Sequence, residues 1–131
     1  MSHNEDDRKQ ILIVDDDPDM LELLCTLLDA NGFVAVGVHD ANAAVERVQE
    51  RVPDLLLIDY MLPDTDGMTT LQRCRAEPGG KHVRAAMLTS DMRLVTLERA
   101  LALGFDEFLP KPILDHDEFL RRINDVITRR A

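Results

Sequence analysis

The chain has 131 residues, 45% of them hydrophobic, which is enough for one domain whose core buries about two thirds of the unfolded surface. Its 15 lysines and arginines stand against 25 aspartates and glutamates, giving a formal net charge of -10. Because it has no basic run to displace counterions from phosphates, the sequence argues against a direct nucleic-acid surface and against an anionic membrane surface.

The sequence predicts neither a membrane span nor a secreted protein. Its apolar runs fall short of the roughly 20 residues of a membrane helix, and the first ten residues lack the apolar centre of a signal peptide. We therefore expect a cytoplasmic protein with a flexible leader at residues 1–9 and a single domain at residues 10–131. Cys25 and Cys74 have no CxxC spacing and fall among leucines, so we expect buried free thiols.

The chain begins with a predicted strand and helix. Gln10–Val14 is an unbroken apolar run, which indicates a strand buried on both faces. Pro18 suits the first position of a helix and Asp17 suits its N-cap, and the following leucines recur at helical spacing until Gly32. For Asp17 we therefore prefer the role of helix cap to that of metal ligand.

The next segments repeat the pattern. Residues 33–38 predict a second strand, and Asp40 caps a helix that Pro53 prevents from continuing. Leu55–Ile58 is a third apolar run, and it ends on the carboxylate Asp59. Ligands of open α/β sheets bind beyond the carboxyl ends of the strands, so Asp59 is the candidate reactive residue.

The second half completes an alternating order of strands and helices. After a loop and a short helix beyond Gly67, Val83–Thr89 predicts strand four and Asp91–Leu103 predicts helix four. Phe105–Leu109 predicts strand five, and Asp115–Arg130 predicts a final amphipathic helix. Five strands alternating with five helices indicate an α/β fold with a doubly wound parallel sheet.

A chemically defined set of side chains follows the ends of the predicted strands: Asp15, Asp16, Asp59, Thr89 and Lys111. Parallel strands end at the same edge of a sheet, so we expect these side chains to meet. Neighbouring carboxylates require a compensating charge, which a hard divalent cation such as Mg²⁺ supplies. The same ion can also hold one oxygen of a phosphoryl group. The Thr89 hydroxyl and the Lys111 ammonium would then contact the other oxygens of that group, which is the arrangement that phosphoryl transfer needs.

Four segments, in this order and spacing, resemble the receiver domain of two-component response regulators (CheY-like): residues 11–18, 57–67, 87–90 and 108–112. The resemblance covers nearly the whole chain and implies a flavodoxin-like sheet of order 2-1-3-4-5. It implies that Asp59 is the phospho-acceptor, which attacks a phosphohistidine of a histidine kinase or histidine phosphotransfer protein. The implied Mg²⁺ or Mn²⁺ ligands are Asp16 directly, Asp15 partly through water, Asp59, and the backbone carbonyl of Met61.

The resemblance also implies a switch. Thr89 and Lys111 would contact the phosphoryl group, and Phe108 would be an aromatic switch residue, although core packing is an equally good interpretation of Phe108. The face made by helix four, strand five and helix five would change shape for a protein partner or a dimer. Lys111 and Pro112 resemble the family's cis peptide. The domain would catalyse only its own phosphorylation and dephosphorylation.

Some residues depart from the usual pattern of the family. Ser90 replaces a smaller residue, and Phe105 replaces a usual alanine. Met61 and Asp91 occupy the two positions that tune the lifetime of the acyl phosphate, and the apolar Met61 suggests slow autodephosphorylation. No effector segment follows in this sequence, so we expect either a stand-alone receiver or the receiver of a larger regulator.

Three other functions would use parts of the same site. An aspartate-nucleophile phosphatase needs a second acid two residues after Asp59, where Met61 stands. A flavin-binding electron carrier needs a hydroxyl-rich loop after strand one, where three carboxylates would repel a phosphate. A phosphorylation-independent interaction domain is the remaining alternative.

The arginines of helix five indicate either a partner surface or complementation of the helix dipole: Arg121, Arg122, Arg129 and Arg130.

Overall fold

The computed structural model describes residues 8–90 and 96–129. Within these residues the strands are β1 (Gln10–Val14), β2 (Val34–Val38), β3 (Leu55–Asp59), β4 (Ala85–Thr89) and β5 (Glu107–Pro110). The helices are α1 (Pro18–Asp29), α2 (Ala41–Glu50), α3 (Gly67–Arg75), α4 (Leu97–Ala102) and α5 (His116–Thr128). Strands and helices alternate along the described chain, as the sequence predicts.

All the strand pairs are parallel, and the order in the sheet is β2-β1-β3-β4-β5. This confirms the predicted flavodoxin-like topology. Every residue of β3 and of β4 is buried, as expected for strands that are covered on both faces. The strands β3 and β4, which lie inside the sheet, are therefore the most deeply buried, and the carboxyl ends of the parallel strands lie at one edge of the sheet.

Two apolar clusters cover the two faces of the sheet, because successive side chains of a strand point to opposite sides. Leu55 and Leu57 belong to the cluster beneath α1 and α5, whereas Leu56 and Ile58 belong to the cluster beneath α2, α3 and α4. The strand that ends on Asp59 is thus held on both sides by packed helices. None of the helices in the described ranges is long and apolar enough to cross a membrane.

The structure corrects some predicted boundaries. β5 begins at Glu107 rather than Phe105, because the Phe105 N–H donates to Ala100 O and completes the end of α4, where Gly104 has a φ of 99°. β4 begins at Ala85 rather than Val83, and α5 ends at Thr128. Three parts of the prediction lie outside the described residues. They are leader residues 1–7, the start of helix four at Asp91, and the last residue of helix five, Arg130.

Both cysteines are free, as predicted, but they differ in burial. Cys74 is fully buried on α3, while Cys25 on α1 is half-buried, so the expectation of complete burial holds for Cys74 alone. Burial raises the pKa of the Cys74 thiol to about 11. It also raises the pKa of Cys25, where the charge of Asp29 adds to the effect.

Candidate functional site

Three carboxylates meet at the carboxyl edge of the sheet. Asp15, Asp16 and Asp59 each offer an oxygen atom, and these atoms lie within 4.8 Å of one another. The register explains the meeting, because Val14 pairs with Ile58 and the next residue of each strand is an aspartate. Asp15 is fully buried and Asp59 is 7% exposed, whereas Asp16 faces solvent. The predicted acidic cluster is therefore present and opens outward through Asp16.

The side chain of Lys111 joins the two buried carboxylates. Its Nζ donates to Oδ2 of Asp15 at 2.9 Å and to Oδ2 of Asp59 at 3.0 Å. Its backbone N–H donates to Thr89 O at 2.8 Å, which fixes the residue at the end of β4. Burial by itself lowers the pKa of Lys111, but the hydrogen bonds to the two aspartates outweigh burial and raise that pKa above its ordinary value. Lys111 therefore stays an ammonium at neutral pH.

The environment of Asp59 disfavours its charged form. Burial raises the pKa of the Asp59 carboxyl, the ammonium of Lys111 opposes this rise, and the charge of Asp15 adds to it. Oδ1 also accepts a hydrogen bond from the Met61 N–H at 3.2 Å. The single ammonium therefore leaves the acidic edge short of positive charge.

The residues around these carboxylates also have local structural roles. Oδ1 of Asp15 accepts from the Asp17 N–H at 3.0 Å, and Asp17 itself caps α1 by accepting from the Asp19 N–H at 3.0 Å. This confirms the predicted cap. The buried carboxylate of Asp15 thus orders the turn that leads into α1, while its other oxygen remains bound to Lys111.

The loop after β3 folds back onto the strand at Gly67. The Gly67 N–H donates to Tyr60 O at 2.7 Å, and a Cβ at this position would lie 2.8 Å from Asp59 O and 3.1 Å from Tyr60 Cα. Asp66 caps α3 by accepting from the Thr69 N–H at 2.7 Å. The close approach at Gly67 therefore determines where the backbone of Asp59 lies.

The acidic cluster fits a hard divalent cation. Oxygen ligands of Mg²⁺ lie about 2.0–2.1 Å from the ion, so two ligands on opposite sides of it are about 4.2 Å apart. Carboxylate oxygens within 4.8 Å of one another need only small side-chain adjustments to reach this geometry. Asp16 is exposed, so the cluster is open to solvent on that side. Met61, whose carbonyl is the other implied ligand, is 62% exposed on the loop after β3.

The other two implied site residues lie on β4 and β5. Thr89 is the last residue of β4, is 3% exposed, and pairs in register with Pro110. Phe108 is 6% exposed and belongs to the cluster that contains Met87 and Phe105, so its ring already packs in the core. The Lys111–Pro112 peptide bond is cis, as the resemblance implies.

A partly buried ion pair between the start of β5 and α5 was not predicted from the sequence. Glu107 is 9% exposed, and its Oε1 accepts from NH2 of Arg122 at 2.8 Å. The same NH2 group donates to Phe108 O at 2.7 Å. Strand alternation was the available signal, because Glu107 lies on the same face as Leu109, beneath α5, where a carboxylate needs a cation. Arg122 is thus bound within the chain.

The chain resembles known proteins along most of its length. The family model described as "Response regulator receiver domain" matches residues 11–124. The chain is 32% identical over 121 residues to the phosphate regulon transcriptional regulatory protein PhoB of Escherichia coli, covering 92% of this chain and 52% of PhoB. It therefore spans about half the length of that relative.

Solved structures of receiver domains are also similar to this chain. A CheY-like response regulator receiver domain from Methylobacillus flagellatus superposes with a TM-score of 0.80 at 29% identity, covering 91% of this chain and 98% of the other. The receiver domain of the sensor histidine kinase PA1611 of Pseudomonas aeruginosa gives a TM-score of 0.81 at 28% identity, covering 92% and 98%. That structure has a magnesium ion coordinated in its active-site cleft.

Proposed function

Because this chain belongs to the family of response regulator receiver domains, we propose that it accepts a phosphoryl group on Asp59 in a Mg²⁺-dependent reaction. The donor is a phosphohistidine of a sensor kinase or of a histidine phosphotransfer protein. The observation that supports this most strongly is the contact of one ammonium, that of Lys111, with two buried carboxylates beside a third, exposed one. One ammonium leaves these three carboxylates short of positive charge, and a bound divalent cation would supply the rest for transfer of an anionic group.

The transfer is a displacement at phosphorus. A carboxylate oxygen of Asp59 forms the new P–O bond, the P–N bond to the donor imidazole breaks, and its electron pair stays on the imidazole nitrogen, which then takes up a proton. The N–H of Met61 and the ammonium of Lys111 orient the two oxygens of the nucleophile. Asp15, Asp16, Asp59 and the backbone carbonyl of Met61 would hold Mg²⁺, whose positive charge would stabilise the phosphoryl oxygens.

The signal passes from the site to the face formed by α4, β5 and α5. The hydroxyl of Thr89, at the end of β4, moves to bind the phosphoryl group. The ring of Phe108, which is already buried, then packs into the space that Thr89 leaves. A protein partner or a second copy binds the changed face. Homologues such as PhoB are transcriptional regulatory proteins by name. For this domain itself we propose protein partners, because its net charge of -10 repels nucleic acid.

The lifetime of the phosphoryl group depends on the side chains around it. Met61 is apolar and exposed, so it cannot hydrogen-bond a water molecule into line for attack on the phosphorus. We propose slow autodephosphorylation for this reason. Asp91, the other implied tuning position, lies outside the described residues.

Intact mass spectrometry after incubation with acetyl phosphate tests the proposal. The parent, Asp59→Asn and Asp64→Asn are each treated with and without Mg²⁺; Asp64 is an exposed acid on the same loop and serves as the matched control. We expect one phosphoryl adduct that requires Mg²⁺, is present in Asp64→Asn and is absent from Asp59→Asn. An adduct that persists in Asp59→Asn would move the acceptor elsewhere. A folded parent without any adduct would favour the phosphorylation-independent interaction domain.

A further inference from the structure

A second group of charged side chains lies at the opposite end of the sheet from Asp59, beside the residues that precede β4 and β5. Here the structure has a cavity of about 350 Å³. Five basic side chains line it, from three separate segments of the chain: Arg75, Lys81, His82, Arg84 and Arg129. Its volume is near the lower end of the range of about 300–1,000 Å³ typical of small-ligand pockets.

The cavity concentrates positive charge in an acidic protein. Its lining contains four permanent cations and one carboxylate, Asp106, in a chain whose formal net charge is -10. The carboxylate is already engaged, because its Oδ2 accepts from the Ala85 N–H at 2.9 Å and lies 3.5 Å from NH2 of Arg75. Asp125, from outside the lining, pairs with Arg129. Among the described residues, Lys81 and Arg84 therefore supply an excess of positive charge that the carboxylates paired with Arg75 and Arg129 do not neutralise.

Backbone carbonyls hold the two central guanidinium groups in fixed positions. Arg75 donates from Nε and NH2 to Val83 O and from NH1 to Gly104 O, at 2.7–3.1 Å. NH1 of Arg84 donates to two carbonyls at the end of α5, including that of Ile127 at 2.7 Å. A guanidinium group has five N–H donors, so both groups keep donors beyond these bonds. Both guanidinium groups are therefore held in place without a ligand, which lowers the entropic cost of binding one.

Lys81 and His82 lie exposed at the rim, next to these fixed groups. Within residues 8–90 and 96–129, Lys81 has no described hydrogen bond or ion pair. An ammonium at the mouth of a cavity with guanidinium groups inside it is suited to a ligand that carries several negative oxygens. The carbonyl contacts explain the arginines structurally, but they do not account for Lys81.

We propose that this cavity binds a small, multiply charged oxyanion of the phosphate class, for which inorganic pyrophosphate is the probe. A small ligand fits better than a nucleic acid, because the cavity gathers four lysines and arginines in a chain whose formal net charge is -10. The site lies at the other end of the strands from Asp59, so its occupancy is a property separate from phosphorylation.

Titration of the ¹⁵N-labelled chain with pyrophosphate, without Mg²⁺ and followed by amide NMR shifts, tests the proposal. We expect saturable shifts at residues 81–85 and 104–106. Lys81→Gln should weaken the apparent affinity about tenfold, as expected for the loss of one charge-assisted contact. Lys9→Gln is the matched control, because it removes the same charge from an exposed lysine just before β1, and its affinity should equal that of the parent.

Several results would overturn the proposal. The first is an absence of saturable shifts at millimolar pyrophosphate, and the second is an equal loss of affinity in Lys9→Gln and Lys81→Gln, which would indicate general charge attraction. Shifts confined to the edge of Asp15 and Asp59 would assign the anion to the other site. A duplex oligonucleotide that displaces pyrophosphate and binds more tightly would reassign the surface to nucleic acid. The same spectra report whether each variant is folded.

Discussion

The ammonium of Lys111 lies 3.0 Å from Oδ2 of Asp59, although the two residues are 52 positions apart in the chain. The same Nζ lies 2.9 Å from the fully buried carboxylate of Asp15. Two carboxylates that are removed from water and face each other would repel strongly without this cation. Lys111 is therefore a structural residue as well as a proposed phosphate contact.

Replacement of this ammonium should destabilise the fold. In Lys111→Gln, buried Asp15 and Asp59 lose their shared cation, and we expect the free energy of unfolding to fall by about 2–4 kcal/mol in the presence of EDTA. Urea denaturation measures this, and added Mg²⁺ should recover part of the loss by neutralising the carboxylates. Lys81→Gln makes the same chemical change at an exposed lysine and should alter stability by less than about 0.5 kcal/mol. Equal stability of both variants would contradict the structural role.

The side chain at position 61 should control how long the phosphoryl group remains on Asp59. Met61 is 62% exposed, so its replacement does not disturb the core. In Met61→Asn an amide can orient a water molecule for attack, and phosphate should be lost several times faster than from the parent. Decay of the mass adduct after removal of acetyl phosphate measures the rate. Leu101→Asn, a replacement at another exposed apolar residue, should decay at the parental rate, and the hypothesis fails if Met61→Asn does so too.

A methyl group at position 67 should disturb the backbone that carries Asp59. In Gly67→Ala the Cβ would lie 2.8 Å from Asp59 O, so the strand end or the loop must move. We expect a loss of about 1–3 kcal/mol in unfolding free energy and slower phosphorylation by acetyl phosphate. In the control Gly37→Ala, the nearest atom is the side-chain end Cδ2 of Leu21, at 3.1 Å, which can rotate away. Parental phosphorylation by a folded Gly67→Ala protein would refute the expectation.

Removal of one partner of the buried ion pair between β5 and α5 should cost more than removal of both. Arg122→Met leaves the carboxylate of Glu107 buried without a cation, and we expect the free energy of unfolding to fall by about 2 kcal/mol. Adding Glu107→Gln removes the uncompensated charge and should recover at least about half of that loss. Arg121→Met, at the neighbouring exposed arginine of α5, is the control for the change in helix charge. Additive losses in the double variant would mean that the pair contributes nothing.

The two cysteines should differ in reactivity. Because the pKa of Cys74 is raised to about 11, about one thiol in a thousand is ionised at pH 8, against about one in ten for a free cysteine. Alkylation requires the thiolate, so its rate at Cys74 should rise with pH until about pH 11. Peptide mapping after brief treatment with iodoacetamide should find Cys25 modified first. In urea both should react alike. Faster modification of Cys74 in the native protein would contradict its burial.

Much of the fold could be predicted because local signals and tertiary packing agree. The apolar run Gln10–Val14 is predicted and observed with the same bounds, and the caps Asp17 and Asp40 begin helices where expected. The start of β5 was misplaced because hydrophobicity does not distinguish a strand residue from one that packs beneath a helix end. Phe105 is 2% exposed but belongs to the turn after α4.

The site could be predicted in outline, because parallel strands end at one edge and aspartates follow two neighbouring strands. The bridging contact of Lys111 with both Asp15 and Asp59 could not be, since such pairing depends on side-chain geometry across most of the chain. The pair of Glu107 and Arg122, only 15 positions apart, could have been predicted in part, because strand alternation places Glu107 on the buried face of β5. The functional roles of Asp59, Thr89 and Phe108 come from the family resemblance and remain predictions. No single stretch of sequence indicates the basic cavity, whose lining comes from four segments.

The residues of the acidic edge lie far apart in the sequence, and this separation also affects when the edge can form during synthesis. The ribosome makes Asp15 and Asp59 well before Lys111, which follows them by 96 and 52 positions. A nascent chain that ends before β5 can pair β1 with β3 and bring the carboxylates together, but it lacks the ammonium that joins them. The edge should therefore become stable only after β5 and Lys111 have been made. The proposed phosphorylation would then require a chain that extends at least to Lys111.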